Sequence, residues 1–130
     1  MEQQLSFAVE LNQPYEKAIE IVTGALKSEG FGVLTSIDVK ATLKEKLDVD
    51  FKNYIILGAC NPPFAYQTLQ IEEQIGLMLP CNVVVQDGED GTSIVSALNP
   101  EVAMESVQNS DLEPIAGEVA QKLRNVIDGL

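Results

Sequence analysis

One segment constrains the fold more than any other: two runs of strand-forming residues, CNVVVQD and TSIVSAL, separated by a loop that begins and ends with Asp-Gly. The loop, DGEDG, spans residues 87–91. Asp-Gly between two β-rich runs is a strong hairpin signal, because a tight turn between paired strands needs backbone angles that glycine adopts freely. The segment therefore predicts an antiparallel pair of strands, roughly 81–87 and 92–98.

Segments upstream of the hairpin alternate between strand and helix patterns. Apolar residues fall on every second position of Leu5–Leu11, which is typical of a half-buried strand. Tyr15–Leu26 instead shows the three- and four-residue apolar spacing of a helix, with Gly30 just beyond its end. The same criteria predict further strands at 31–37 and 53–60, a short helix at 38–47 and a helix from 61 to 74.

Two helices are expected after the hairpin, a short one over 101–107 and a longer one from Asp111 onward. The resulting order is β-α-β-α-β-α-β-β-α-α. We expect one α+β domain over residues 1–130, with a mixed sheet of about five strands and helices packed mainly on one face. Crossover helices should make several strand pairs parallel, and the hairpin should make the last pair antiparallel.

The charge balance narrows the choice of partners. Eight basic and twenty acidic residues give a net charge of −12, which repels nucleic-acid phosphates and anionic lipid surfaces. The chain contains no apolar run of the length that a membrane span needs. The N-terminal residues MEQQLSF do not have the pattern of a secretory signal, so the sequence predicts a cytoplasmic protein that binds neither nucleic acid nor membranes.

The chain contains no histidine. This removes the usual general base near neutral pH, the Ser-His and Cys-His nucleophile pairs and the commonest transition-metal ligand. Two cysteines alone also fall short of a four-ligand structural zinc site. The sequence thus names no cofactor and no metal site, and it favours a protein without dedicated catalysis.

Three stretches carry a family resemblance: SEGFGVLTSIDVKATLKEKLDVDF, YIILGACNPPFAYQTL and IGLMLPCNVVVQD. Together they resemble the bacterial domain-of-unknown-function 302 family over nearly the whole chain. The resemblance implies a small α+β domain that is often a stand-alone chain and dimeric. It supplies no catalytic residues, because that family is uncharacterised.

The two Asn-Pro pairs follow predicted strands, at Asn61-Pro62 and Asn99-Pro100. Asparagine accepts a hydrogen bond from a free N–H of a first helical turn, and proline suits the first helical position, so helix capping is the favoured interpretation of both pairs. Cys60 lies directly before one of these helix starts, where the helix dipole would favour a reactive thiolate. Burial of Cys60 as a small apolar residue is the competing interpretation.

Cys81 begins the first hairpin strand and is followed by Asn82, a residue that strands seldom choose. If the strands of Cys60 and Cys81 are parallel, the two thiols lie at opposite ends of the sheet, too far apart for a disulfide, whereas antiparallel strands would allow them to meet. Asn82 is expected either to face solvent, to bond a neighbouring loop or to contact a ligand.

A shared ligand site follows from the same assumption of parallel strands. The strands that end near 37, 60 and 98 would then bring their following residues to one edge, where ligands of parallel sheets bind. The residues expected there are Asp38, Lys40, Cys60, Asn61 and Asn99. Ordinary capping and solvated charge are the alternative explanation of these side chains.

The sequence supports three hypotheses of function. The first is a domain that binds a small ligand or a protein partner and forms a homodimer. The second is a thiol-based redox or metal-handling protein that uses Cys60, alone or with Cys81. The third is a structural interaction module whose function is its dimer surface. Ligand identity is left open.

Overall fold

The computed structural model describes residues 4–130. Its strands are β1 (Ser6–Leu11), β2 (Gly32–Asp38), β3 (Tyr54–Cys60), β4 (Cys81–Asp87) and β5 (Ser93–Leu98). Its α-helices are α1 (Tyr15–Ser28), α2 (Val39–Leu47), α3 (Pro62–Ile71), α4 (Pro100–Glu105) and α5 (Glu113–Asp128). Two 3₁₀ segments, Glu73–Met78 and Ser110–Leu112, precede β4 and α5. The α+β class and the order of the elements are confirmed.

The five strands form one sheet in the order β1-β5-β4-β3-β2, and every neighbouring pair is antiparallel. The hairpin of β4 and β5 is confirmed. The expectation of a mixed sheet with parallel pairs is wrong. The starts of β1, β2 and β4 meet the ends of β3 and β5 at one end of the sheet, which we call the Cys60 end; the other is the Asp38 end.

The expectation of parallel strands fails at β3 and β4 because the connection between them reverses direction. The connection from β3 to β4 runs out along the ten residues of α3, about 15 Å at the rise of an α-helix. It then returns along the six residues of the first 3₁₀ segment, about 12 Å at the rise of a 3₁₀-helix. Because outward and return lengths nearly match, β4 starts beside the end of β3, and Ala59 pairs with Cys81.

One face of the sheet is covered by helices. The buried strand positions alternate as a half-covered sheet requires, with Val83, Val85, Val95 and Ala97 fully buried. Helix α1 and helix α5 pack on them through residues such as Leu26 and Leu123, both fully buried. The opposite, open face carries half-exposed side chains, so the apolar core lies between the sheet and its helices.

Helix α1 ends in a motif that matters for the site. The N–H of Phe31 donates to the Leu26 carbonyl, and the N–H of Gly30 donates to the Lys27 carbonyl, the pair of bonds that defines a Schellman motif. Gly30 takes the left-handed backbone that this motif requires, with φ of +88°. The motif turns the chain sharply and leaves the backbone carbonyl of Glu29 at the Cys60 end.

Among residues 4–130, no helix is both long enough and apolar enough to cross a membrane.

Two helix leucines provide a matched test of this packing. Leu26 in α1 is fully buried, whereas Leu47 in α2 is 65% exposed. We expect Leu26→Ala to lower the free energy of unfolding by about 2–5 kcal/mol, through lost burial and a residual cavity. Leu47→Ala should change it by less than about 0.5 kcal/mol. Urea unfolding of both variants measures the difference, and similar losses would contradict the described packing.

Candidate functional site

The Cys60 end gathers five of the seven side chains that the sequence singles out. Cys60 ends β3 and Asn61 follows it, while Cys81 and Asn82 begin β4 beside them. Asn99 follows β5, next to the start of β4. Cys60, Asn61 and Asn99 therefore lie at the same end of the sheet, as predicted. They do so because β3 and β5 run in the same direction on either side of the antiparallel strand β4.

Asp38 and Lys40 lie at the opposite end of the sheet, because β2 runs antiparallel to β3. Asp38 caps α2 by accepting a hydrogen bond from the Ala41 N–H at 2.9 Å. Burial raises the pKa of Tyr15, and the charges of Asp38 and Asp87 raise it further. The expectation that Asp38 and Lys40 share one site with Cys60 is thus wrong.

The two cysteines lie at the same end of the sheet, not at opposite ends as expected. Ala59 pairs directly with Cys81, so Cys60 is one residue beyond that pair. Cys81 faces the helices with Ala59, and Cys60, the last residue of β3, lines the same cavity between the sheet end and the helices. Both are free thiols.

Cys81 has the environment of an inert thiol. Its side chain is only 8% exposed. Burial raises its pKa to about 11, with a smaller contribution from Cys60. A thiol with this pKa is protonated at neutral pH and acts as a small apolar group rather than as a nucleophile.

An apolar pocket of about 40 Å³ opens beside Cys81, between the end of the sheet and helices α3, α4 and α5. Its walls are mostly aliphatic and aromatic, including Phe64, Leu112 and Ile115. Cys60, Cys81 and Asn61 also belong to its lining, whereas Asn82 is exposed on the open face opposite Gly58. The volume exceeds the 10–15 Å³ or so that a single water needs, so a small chemical group fits.

Asn61 and Asn99 begin their helices in different ways. The Asn99 Oδ1 accepts from the Glu101 N–H at 3.1 Å, and its Nδ2 donates to the Gln4 carbonyl at 3.1 Å. Both ends of the Asn99 amide are therefore used inside the protein. Asn61 occupies the same position before α3, but its side chain makes no capping bond.

The second proline of the Asn-Pro-Pro sequence explains the difference. Glu101 is the second residue of α4 and has the N–H that Asn99 caps. The second residue of α3 is Pro63, which has no N–H. The second-position donor that Asn99 uses in α4 is therefore missing in α3, and Asn61 accepts no bond from the third position either.

Asn61 is instead held from the side of α1. Its Nδ2 donates to the Glu29 carbonyl at 3.4 Å, the carbonyl that the Schellman motif presents. Gly30 leaves room for this contact, since a Cβ there would lie 3.0 Å from the Asn61 Nδ2. Asn61 is only 9% exposed, and its Oδ1 accepts no hydrogen bond from any described residue. A lone acceptor thus remains at the wall of an apolar pocket.

Several lining residues were not singled out by the sequence. Thr68 is the one buried residue of α3, and its hydroxyl donates to the Ala65 carbonyl at 2.9 Å. Phe64, Ala65 and Thr68 recur at the helical three- and four-residue spacing, which could have indicated one face of α3 in contact with the sheet end. Met104 in α4 has no comparable sequence signal.

No group of three or more His, Cys, Asp or Glu residues within 4–130 is arranged to hold a metal ion. The pocket at the Cys60 end presents apolar walls, the Asn61 amide and the thiols of Cys60 and Cys81, of which Cys81 has the raised pKa.

Comparison with known proteins now decides the family. The family described as "Domain of unknown function DUF302" matches residues 7–130. The chain belongs to the DUF302 family. It is also similar to the crystal structure of an uncharacterized conserved DUF302 protein from Bacillus stearothermophilus, with 31% identity and a TM-score of 0.88. That likeness covers 97% of this chain and 98% of the other. The search of curated proteins gave no match.

The Cys81 thiol makes stability fall at high pH. Its pKa is about 11 in the folded DUF302 chain and 9.0 at its ordinary value, so between these values the unfolded chain releases a proton that the folded chain keeps. From pH 8 to pH 10 this should cost about 1 kcal/mol of unfolding free energy. Urea unfolding at both pH values measures it, with Cys81→Ala as the control because all other groups still titrate there. An equal loss in the variant and the wild type would contradict the assignment.

Proposed function

We propose that this DUF302 protein binds a small, largely apolar molecule that donates one hydrogen bond, and that it does so without dedicated catalysis. The observation that carries the proposal is the unpartnered Oδ1 of Asn61 in the lining of the apolar pocket. No buried side-chain nitrogen or oxygen among residues 4–130 lacks a partner, so this oxygen keeps contact with solvent, and a donor that reaches it gains a hydrogen bond beside apolar walls.

Pocket geometry favours binding over chemistry. Small-molecule sites combine mostly apolar walls with a few polar groups that fix orientation, and the Cys60 end has this composition. Two free thiols, Cys60 and Cys81, are in the lining, and the raised pKa of Cys81 keeps that one protonated. The pocket volume of about 40 Å³ suits a short chain or a branched end rather than a large ring system.

The thiol-based redox or metal-handling alternative has weaker support. Cys60 and Cys81 line the same pocket, but the raised pKa of Cys81 keeps that thiol protonated at neutral pH. The homodimer that the family resemblance implies stays a prediction.

Pentan-1-ol is a suitable probe, because it has one hydroxyl donor and a slender apolar chain. We expect saturable binding by isothermal titration calorimetry with a Kd on the order of 1 mM, as a molecule of this size allows. Ala65 lines the pocket, so Ala65→Leu should fill it and weaken binding by about tenfold or more, since lost apolar burial of this size is worth over a kcal/mol.

Gln67→Leu is the matched control, because it adds a leucine to the exposed side of the same helix. It should bind pentan-1-ol like the wild type. Absence of saturable binding to the wild type would overturn the proposal, and so would equal affinity in Ala65→Leu.

A further inference from the structure

The open face of the sheet is more apolar than a solvent-facing sheet surface usually is. In an antiparallel sheet with one face in water, the outward positions are typically polar. Here the strand pairing directs five large apolar side chains to the open face, and the buried core between sheet and helices includes none of them. They are Ile37, Tyr54, Ile56, Val84 and Ile94.

These side chains are contiguous. Ile37 on the edge strand β2 pairs with Ile56, and Ile56 pairs with Val84, so three β-branched side chains stand side by side across β2, β3 and β4. The row continues through Ser96 to Ala8 on the other edge strand. Paired side chains on one face lie within contact distance of each other, so the row forms a continuous apolar stripe.

A second row widens the stripe toward the Asp38 end. It contains Tyr54 and Ile94, with Gln86 between them. The ring of Phe51, which is 41% exposed, lies 6.1 Å from the ring of Tyr54 and extends the patch beyond the strands. Soluble monomers rarely expose a large contiguous apolar patch, and such patches commonly mark interaction surfaces.

Charge is nearly absent from the same face. Among the strand positions of the described chain, the open face carries one charged side chain, Glu10 on the edge strand β1. The chain as a whole has a net charge of −12. The open face is therefore a nearly uncharged area on a strongly acidic protein.

The face is large enough for an interface between two proteins. Five strands of about six residues cover about 24 Å by 20 Å, or about 500 Å² of flat area, at the usual strand spacing and rise. Two such faces bury about 1,000 Å² before the relief of the side chains is counted, which reaches the range of specific interfaces.

Charge indicates that the partner is a second copy of this chain. Two copies of net charge −12 repel one another, so they can associate only where like charges do not meet. The open face meets this requirement, because a two-fold axis near Ile56 and Val84 brings apolar side chains together and leaves Glu10 at the rim. An uncharged face also lacks the charge pattern that would select a partner of opposite sign.

We propose that the open face is a homodimer interface, in which two copies pack their sheets face to face across a two-fold axis near Ile56 and Val84. Two sheets pack in this way at about 10 Å, with their facing side chains interdigitated. The inference goes beyond the proposed function, because the pocket of Asn61 lies between the sheet end and the helices and stays open in such a dimer.

Sedimentation equilibrium of the full chain measures the assembly. We expect the mass of two chains, with a dimer Kd on the order of 1 μM or tighter. Because like charges oppose the association, raising the salt from about 0.05 M to 0.5 M should tighten the dimer several-fold. A wild type that stays monomeric up to about 0.5 mM would overturn the proposal. So would a dimer that dissociates as salt is added, because it would depend on ion pairs that this face does not offer.

Two variants place a charge on the open face. Val84→Lys puts an ammonium at its centre, and Ser96→Lys puts one in the same row without removing an apolar side chain. Each substitution occurs twice in a symmetric dimer, so both should raise the dimer Kd by about 100-fold or more. Leu77→Lys is the matched control, because Leu77 is 80% exposed in the 3₁₀ segment before β4 and lies outside the sheet. It should dimerise like the wild type.

Thermal unfolding checks that the variants are folded, and the wild-type measurements do not depend on them. If folded Val84→Lys or Ser96→Lys dimerises as tightly as Leu77→Lys, the interface lies elsewhere and the proposal is overturned. Binding of pentan-1-ol to the wild type is measured separately. The dimer interface and the ligand pocket can therefore fail independently.

Discussion

The antiparallel pairing of β3 with β4 determines where every group of the site lies. Because the chain runs out along α3 and back along a 3₁₀ segment, β4 begins beside the end of β3. This places Asn61 and Cys81 at one end of the sheet, under the helices that close the pocket. A crossover connection of the parallel kind would have carried Cys81 to the far end.

Within that frame, the use of Asn61 depends on a missing N–H. Both Asn-Pro pairs start helices, but Asn-Pro-Glu offers a donor at the second helical position and Asn-Pro-Pro does not. Both the oxygen and the nitrogen of the Asn99 amide are therefore hydrogen-bonded within the protein. In the Asn61 amide only the nitrogen is bonded, to the Glu29 carbonyl. The oxygen at the other end makes no capping bond and keeps contact with solvent at the edge of the pocket. Local chain chemistry thus creates the polar group on which the proposed ligand site depends.

The spacing of apolar residues was sufficient to predict the helices and strands. An apolar residue at every second position indicates a strand with one buried face, and one at every third or fourth position indicates a helix with one buried face. It predicted the hairpin at 81–98 and the helix start at Pro62. Strand direction was predicted wrongly, because apolar spacing does not record how far a connection travels before it returns. Residues 73–78 form the returning 3₁₀ segment that corrects the topology, and nothing in their composition distinguishes them from a loop.

Only some residues of the site were predicted to lie together correctly, because the prediction depended on the strand directions. Cys60, Asn61 and Asn99 do meet, since they end β3 and β5, which point the same way with β4 between them. Asp38 and Lys40 do not, because β2 points the other way. The contrast between Asn-Pro-Pro and Asn-Pro-Glu was present in the sequence. It shows that the second-position donor used by Asn99 is absent beside Asn61, although the third-position N–H is present in both helices.

The most direct test of this account restores the missing donor. Pro63→Ala supplies an N–H at the second position of α3, where an asparagine cap can use it. Pro62→Ala, the control, supplies one only at the first position. We expect Pro63→Ala to weaken pentan-1-ol binding several-fold in a calorimetric titration, since the new N–H competes for the Asn61 Oδ1, and Pro62→Ala to bind as the wild type does. Unchanged affinity in Pro63→Ala, with the fold intact, would contradict the claim that a free Asn61 acceptor defines the site.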